Sequence, residues 1–105
     1  MLKVIFMDTE CDLEFSQYGN GRVSIQLWTH EDGFPEPIGR ATVNLPMETL
    51  EDGCVFIKDY AENSGMLLAL RQARIVGKPI RHLTSGYATI PVCKLLVNPK
   101  SDDCK

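Results

Sequence analysis

The stretch "FSQYGNGRVSIQL", residues 15–27, decides the fold. Apolar side chains alternate with polar ones on both sides of its glycines: Leu13 and Phe15 before them, Val23, Ile25 and Leu27 after. A period of two marks a strand with one face on a core. Two such strands so close in sequence make a hairpin, and the loop length sets its register. A two-residue loop, Asn20-Gly21, would set Phe15 against Gln26. A three-residue loop, Gly19-Asn20-Gly21, pairs Phe15 with Ile25 and Leu13 with Leu27. A slip of one residue turns every side chain to the other face, so the second register is expected. It needs a left-handed residue to close the loop, and Gly21 supplies one.

Working outward, "LKVIF" (2–6) precedes the hairpin strands "CDLEFSQ" (11–17) and "RVSIQLW" (22–28). A loop, "HEDGFPEP" (30–37), leads to a strand "IGRATVNL" (38–45), with Ala41, Val43 and Leu45 on one face. After the turn-rich "PMETLEDG" comes a short apolar strand, "CVFIK" (54–58). One helix is expected from about Ser64 to Ile75, with Met66, Leu67, Leu70 and Ala73 inward, stopped by Gly77 and Pro79. The chain closes with an extended "RHLTSGYATIPVCKLLV" (81–97), where Pro91 argues for an edge strand or a bulge. The expected architecture is α+β: a twisted, mainly antiparallel sheet of five to six strands, with one amphipathic helix packed on one face. Residues 1–97 form a single domain, and 98–105 a polar, proline-broken tail.

At 105 residues the chain is long enough for one modest core, and its 44% hydrophobic and 24% charged residues are those of a soluble globular protein. No apolar run approaches the ~20 residues that cross a bilayer. The N-terminus lacks a secretory pattern, so the expected compartment is the cytoplasm. Cys11, Cys54, Cys93 and Cys104 lack the close paired spacing of a zinc or redox site. The first three fall in apolar segments and are expected to be buried, unpaired thiols; Cys104 sits in the tail. The net charge of −3 hides an asymmetry. Residues 1–62 hold twelve acids and four bases, whereas residues 63–101 hold six bases and no acid. Such a chain is electrostatically polar, but −3 is far from the charge of a DNA mimic.

"KDYAENSG" (58–65) gathers polar side chains ahead of the apolar run "MLLAL". As catalytic groups Asp59 and Glu62 lack a local histidine, a metal-ligand pattern or a phosphate-cradling glycine loop. The stretch is expected to start the helix, with Asn63 or Ser64 as N-cap, acids favourably placed at the positive end of the dipole, and Lys58 as an ion-pair partner. Tyr60 is expected as a core ring. His30 lies in an acidic turn, His82 has no nucleophile beside it, and Ser85 lacks the GxSxG elbow. No catalytic set, metal-ligand set or cofactor motif is read. Arg71, Arg74 and Lys78 are spaced for one stripe of a helical surface, with Arg81 beyond. On the opposite side Asp12 and Glu14 point outward, with Trp28 across from Asp12, and an exposed aromatic is a favoured interface anchor.

The strings "VFIKDYAENSGMLLAL", "FSQYGNGRVSIQL", "ATVNLP" and "SGYATIPVCKL" together resemble a family of small uncharacterised proteins carried by phages and mobile elements of Firmicutes and related bacteria. The resemblance implies a context in which small proteins inhibit host defence, anti-CRISPR proteins among them, by stoichiometric binding. It implies no catalytic residues. The expected function is therefore a non-enzymatic protein that binds and inhibits a host defence or nuclease complex, with Arg71, Arg74, Lys78, Arg81, Trp28, Asp12 and Glu14 as binding residues. Expected partners are a host protein or a protein–nucleic-acid complex, with no membrane, and the chain itself a monomer or small homo-oligomer. Two other readings are a nucleic-acid-binding accessory protein using the basic residues, and a small-ligand sponge with a pocket between sheet and helix.

Overall fold

A computed structural model describes residues 2–31 and 33–99. The hairpin has the expected register. Strand β2 (Thr9–Gln17) pairs with β3 (Val23–Thr29), and Leu13 meets Leu27, Phe15 meets Ile25 and Asp12 meets Trp28. The Tyr18 N–H donates to the Arg22 carbonyl at 2.8 Å across the loop Gly19–Gly21, and Gly21 has φ +87°. Strand β1 (Lys3–Phe6) is joined to β2 by a two-residue turn, with Phe6 opposite Thr9. Both turn residues, Met7 (φ +52°) and Asp8 (φ +63°), are left-handed without being glycine. That is the backbone of a type I′ turn, at a cost of about 1–2 kcal/mol per residue.

Sheet one runs β1-β2-β3-β4, and sheet two β5-β7-β6. The α+β class holds, with seven strands among the described residues divided between two antiparallel sheets. The fourth strand differs from the expected 38–45: β4 is Glu36–Arg40, displaced from simple register by a bulge at Leu27/Trp28. The reason lies in the next residues, which cross between sheets. Ala41 enters the core against sheet one, whereas Val43 and Leu45 pack against the far side of sheet two. One segment thus serves two cores and cannot lie in one ladder. Its crossing point is Thr42, which bridges to Ile57 just beyond β5 (Cys54–Phe56).

The closing segment is not a single extended run but a hairpin, β6 (Val76–Ser85) and β7 (Ala88–Leu95), turning through Gly86-Tyr87. Gly86 (φ +61°) opens the turn at a position that resists side chains. Pro91 lies in β7, the central strand, rather than on an edge. It fits there because β5 stops at Phe56: on that side Pro91 meets Ile57, whose N–H donates to its carbonyl at 3.0 Å, and on the other side it is paired with His82 of β6. Strands β5 and β7 are covered on both faces. Val55, Ile57 and Cys93 face the main core; Cys54, Phe56, Ile90 and Val92 face a second core under Leu45, Leu50 and a partly buried Tyr60. That is why "CVF" reads as continuously apolar.

The helix α1 spans Met66–Gln72, shorter than the expected 64–75. Met66, Ala69 and Leu70 are buried; Leu67 and Ala73 pack at the core margin. Gly77 and Pro79 do not stop it, since both lie in β6. The chain leaves the helix because Ile75 and Val76, each 1% exposed, are needed in the core. Arg74 takes a left-handed φ of +61°, the Arg74 N–H donates to the Arg71 carbonyl (3.0 Å), and the Ile75 N–H to the Leu70 carbonyl (2.9 Å). This is a Schellman closure with arginine where glycine is usual.

The N-cap also differs from expectation. Gly65 holds the cap position and offers no side chain. Asp59 reaches in instead, its Oδ1 accepting from the backbone N–H groups of Gly65 (3.1 Å) and Leu67 (3.0 Å). Asn63 is 2% exposed and donates Nδ2–H to the Arg40 carbonyl at 2.7 Å, tying the helix entry to β4. Lys58 pairs with Glu62 (2.8 Å). Replacing Asp59 by alanine is therefore expected to cost about 1 kcal/mol in urea unfolding, while Ser64→Ala, exposed and without a capping bond, stays within about 0.5 kcal/mol. The reverse order of the two would restore the local cap.

Candidate functional site

The outward positions of β2 and β3 bring the acid–tryptophan group together. Trp28 is half-buried, and its Nε1–H donates to Glu14 Oε1 at 2.9 Å. Asp12 accepts an ion-paired hydrogen bond from Lys3 of β1. His30 Nδ1 stands 2.9 Å from the other Asp12 oxygen. The hydrogen bond from Lys3 holds the Asp12 carboxyl below the usual carboxylate range and raises the Lys3 ammonium above its own. His30, read from sequence only as lying in an acidic turn, is thus a partner of Asp12. The signal was present: His30 follows Trp28 by two, so continuing the β3 alternation puts it on the Asp12 face. The ring of Trp28 is held by Glu14 rather than left free.

The basic residues do not form one helical stripe. Arg71 lies in the last turn of α1, Arg74 is in the left-handed closure beyond it, and Lys78 is in the edge strand β6. The early end of the helix is what breaks the i, i+3, i+7 pattern. All three are exposed. Arg81 is engaged: its Nε and Nη2 donate to Glu51 at 2.9 and 3.0 Å, and Nη2 also to the Thr49 carbonyl at 2.6 Å. This fork lowers the Glu51 pKa and fixes the loop before β5.

The same division runs through the whole molecule. Among the described residues, Lys3, Lys58 and Arg81 are ion-paired. Arg22 donates to the Leu45 and Glu48 carbonyls and lies over the Phe56 ring, and Arg40 lies over Tyr18. Arg71, Arg74, Lys78 and Lys94 make no ion pair or side-chain hydrogen bond with described residues, and all four are exposed. They sit on α1, β6, β7 and the α1–β6 turn, segments without an acid.

Cys11, Cys54 and Cys93 are buried and unpaired, as expected; Cys104 lies outside the described residues. Burial pushes all three thiols up, Cys93 to about 11, which makes them poor nucleophiles. Among the described residues no group of three or more histidine, cysteine or acidic side chains is placed to hold a metal ion, and no helix is long and apolar enough to cross a membrane. A cavity of about 460 Å³ opens between the β2–β3 loop, residues 50–54 and residues 95–99, but the Arg22 side chain beside it is already spent on two carbonyls. Between sheet and helix, where the ligand-sponge reading would put a pocket, lie two hollows of about 280 and 310 Å³ along β1 and α1, with Ile5, Ala69 and Gln72 in the lining of both.

Residues 12–105 match the model of a family described as a domain of unknown function, DUF4313, and the chain belongs to that family. No curated protein and no solved structure matches it.

Asp12 gives a pH signature. Its pKa is lower folded than unfolded, where it lies near the ordinary value of about 3.9. The stability it contributes is therefore present above about pH 4 and lost as pH falls through the lower folded value. Asp12→Asn is expected to be less stable than wild type at pH 7, with the gap closing as pH falls below the ordinary carboxylate range; a gap independent of pH would remove the Lys3 pair as its cause.

Proposed function

We propose that this member of the DUF4313 family is a non-enzymatic binding protein of a phage or mobile element that blocks a host defence or nuclease complex, as anti-CRISPR proteins do. The observation that carries the reading is the set of four exposed cations, Arg71, Arg74, Lys78 and Lys94, which no described acid neutralises. Folding uses the other described cations internally and leaves these for a partner. Their natural complement is an anionic surface, which a nuclease complex offers in its acidic side chains and bound nucleic acid. One group of acids lies apart: Glu10, Asp12 and Glu14 on sheet one, with Asp8 and Glu31 beside them. A molecule so divided approaches a charged partner in one orientation. The mobile-element context rests on the sequence resemblance. Phosphate binding by the same cations is the second reading, since they suit nucleic acid equally well in kind.

Immobilised chain exposed to lysate of a host bacterium, with bound species identified by mass spectrometry, tests this. The expected result is retention of one protein complex at physiological salt. Arg71→Gln with Arg74→Gln is expected to change stability by less than about 0.5 kcal/mol each and to weaken that retention thirtyfold or more. Retention of nucleic acid alone, with affinity falling steeply with salt at about 0.9 log units per phosphate contacted, would replace this reading with the second.

A further inference from the structure

We propose that the trough between β1 and α1 takes an extended segment of a partner protein, alternating in apolar residues and bearing a lysine or arginine, which adds to β1 as a strand. This stands independently of the partner of the cationic surface.

The first observation is an open ladder. Phe6 faces Thr9 across the turn, and the Leu13 N–H donates to the Leu2 carbonyl, so Leu2, Val4 and Phe6 direct their backbone groups toward β2. By alternation, Lys3 and Ile5 direct theirs away. Those groups have no backbone partner among the described residues. Open edges are normally blunted. The free edges of β4 and β6 carry Pro37 and Pro79, whereas β1 has no proline. The fourth outer strand, β5, is met by residues 42 and 43, since Thr42 bridges Ile57 and the Val43 N–H donates to the Phe56 carbonyl, so among the described residues β1 is the outer strand with neither a proline nor a backbone partner on its free side.

The second observation is the surface beside it. The two hollows share Ile5, Ala69 and Gln72 and so adjoin along the seam where β1 meets α1, the trough of this proposal. Ile5, Met7 and Leu68 are 65%, 71% and 60% exposed and line the same compartment. Exposed apolar side chains gathered beside a free strand edge are what strand addition requires, the ladder giving affinity and the side-chain pockets selection. The left-handed backbone at Met7 and Asp8 also falls here, and such outliers cluster at functional sites.

The charges choose the occupant. A second copy pairing through its own β1 would bring the same acids, Asp8 and Glu10, to the seam, which argues against that occupant. Asp8 and Glu10 line the trough and are exposed, with no cation within ion-pairing distance among the described residues; Lys3, which lines it too, is held by Asp12. A basic residue in the segment complements them.

The test is to pan a random ten-residue peptide display library on the full chain. Enrichment of peptides that alternate apolar residues and carry lysine or arginine is expected. A synthetic copy of the leading peptide should slow hydrogen exchange at the Lys3 and Ile5 amides. It should bind Leu68→Glu, and separately Ile5→Thr, at least tenfold more weakly. Both side chains are largely exposed, and unchanged unfolding midpoints would confirm that each variant folds. No enrichment, an acidic consensus, equal binding to both variants, or protection confined to residues away from β1 would overturn the proposal. So would protection of the same amides in the free chain as its concentration rises, since the occupant would then be a second copy.

Discussion

Thr42 is the point through which the two sheets are made into one body. It is 2% exposed, and its hydroxyl has two partners: the Ile25 N–H, which donates to Oγ1 at 3.2 Å, and the Tyr18 hydroxyl at 2.9 Å. Its backbone is flanked by bonds in both directions. The Ala41 N–H donates to the Ile25 carbonyl in sheet one (2.8 Å), while the Val43 N–H donates to Phe56 and the Lys58 N–H to the Ala41 carbonyl, both at the end of β5. A buried backbone cannot leave one ladder without finding partners in the next. Residues 41–43 meet that condition by changing sheets in the space of one residue.

From that crossing the rest of the arrangement follows. Sheet one and sheet two are turned to face each other across the main core, and the strand order leaves β1 and β6 at the two ends. The helix packs against both, supplying Met66, Ala69 and Leu70 between them. The acid-rich half of the chain forms sheet one together with β5 and the segments flanking it, and the acid-free half forms α1, β6 and β7, so the asymmetry along the sequence becomes a partial separation in space, crossed where Glu51 meets Arg81 and Asp59 caps α1. The same arrangement leaves the trough beside β1, because a seven-residue helix walls the strand edge without hydrogen-bonding to it.

Features that depend on one short stretch were legible in the sequence. The register of β2 and β3 follows from alternation and one glycine, and it carries the Asp12–Trp28 pairing with it. The three core thiols follow from their apolar neighbours. Features that depend on what packs elsewhere were not. "IGRATVNL" alternates well enough for a strand, and nothing local says that Ala41 and Val43 serve different cores. Asp59 was placed near the helix dipole, but its capping contact needs a fold-back through Ala61–Asn63 that competes with the more ordinary caps Asn63 and Ser64. Ile75 and Val76 end the helix by tertiary demand, and that detaches Arg74 and Lys78 from the stripe their spacing suggested. Of the site residues, Asp12, Glu14 and Trp28 are brought together, while Arg81 is drawn away by Glu51, thirty positions earlier.

Thr42→Val tests the crossing most directly, since it keeps the shape and removes only the hydroxyl. Urea unfolding is followed by the fluorescence of Trp28, the single tryptophan, which reports sheet one, and by far-ultraviolet circular dichroism, which reports the whole chain. Leaving the buried Ile25 N–H without its acceptor is expected to cost about 1–3 kcal/mol, with both signals moving together to a lower midpoint. An unchanged midpoint, or a circular dichroism transition that shifts while the Trp28 transition stays in place, would contradict a fold joined at Thr42.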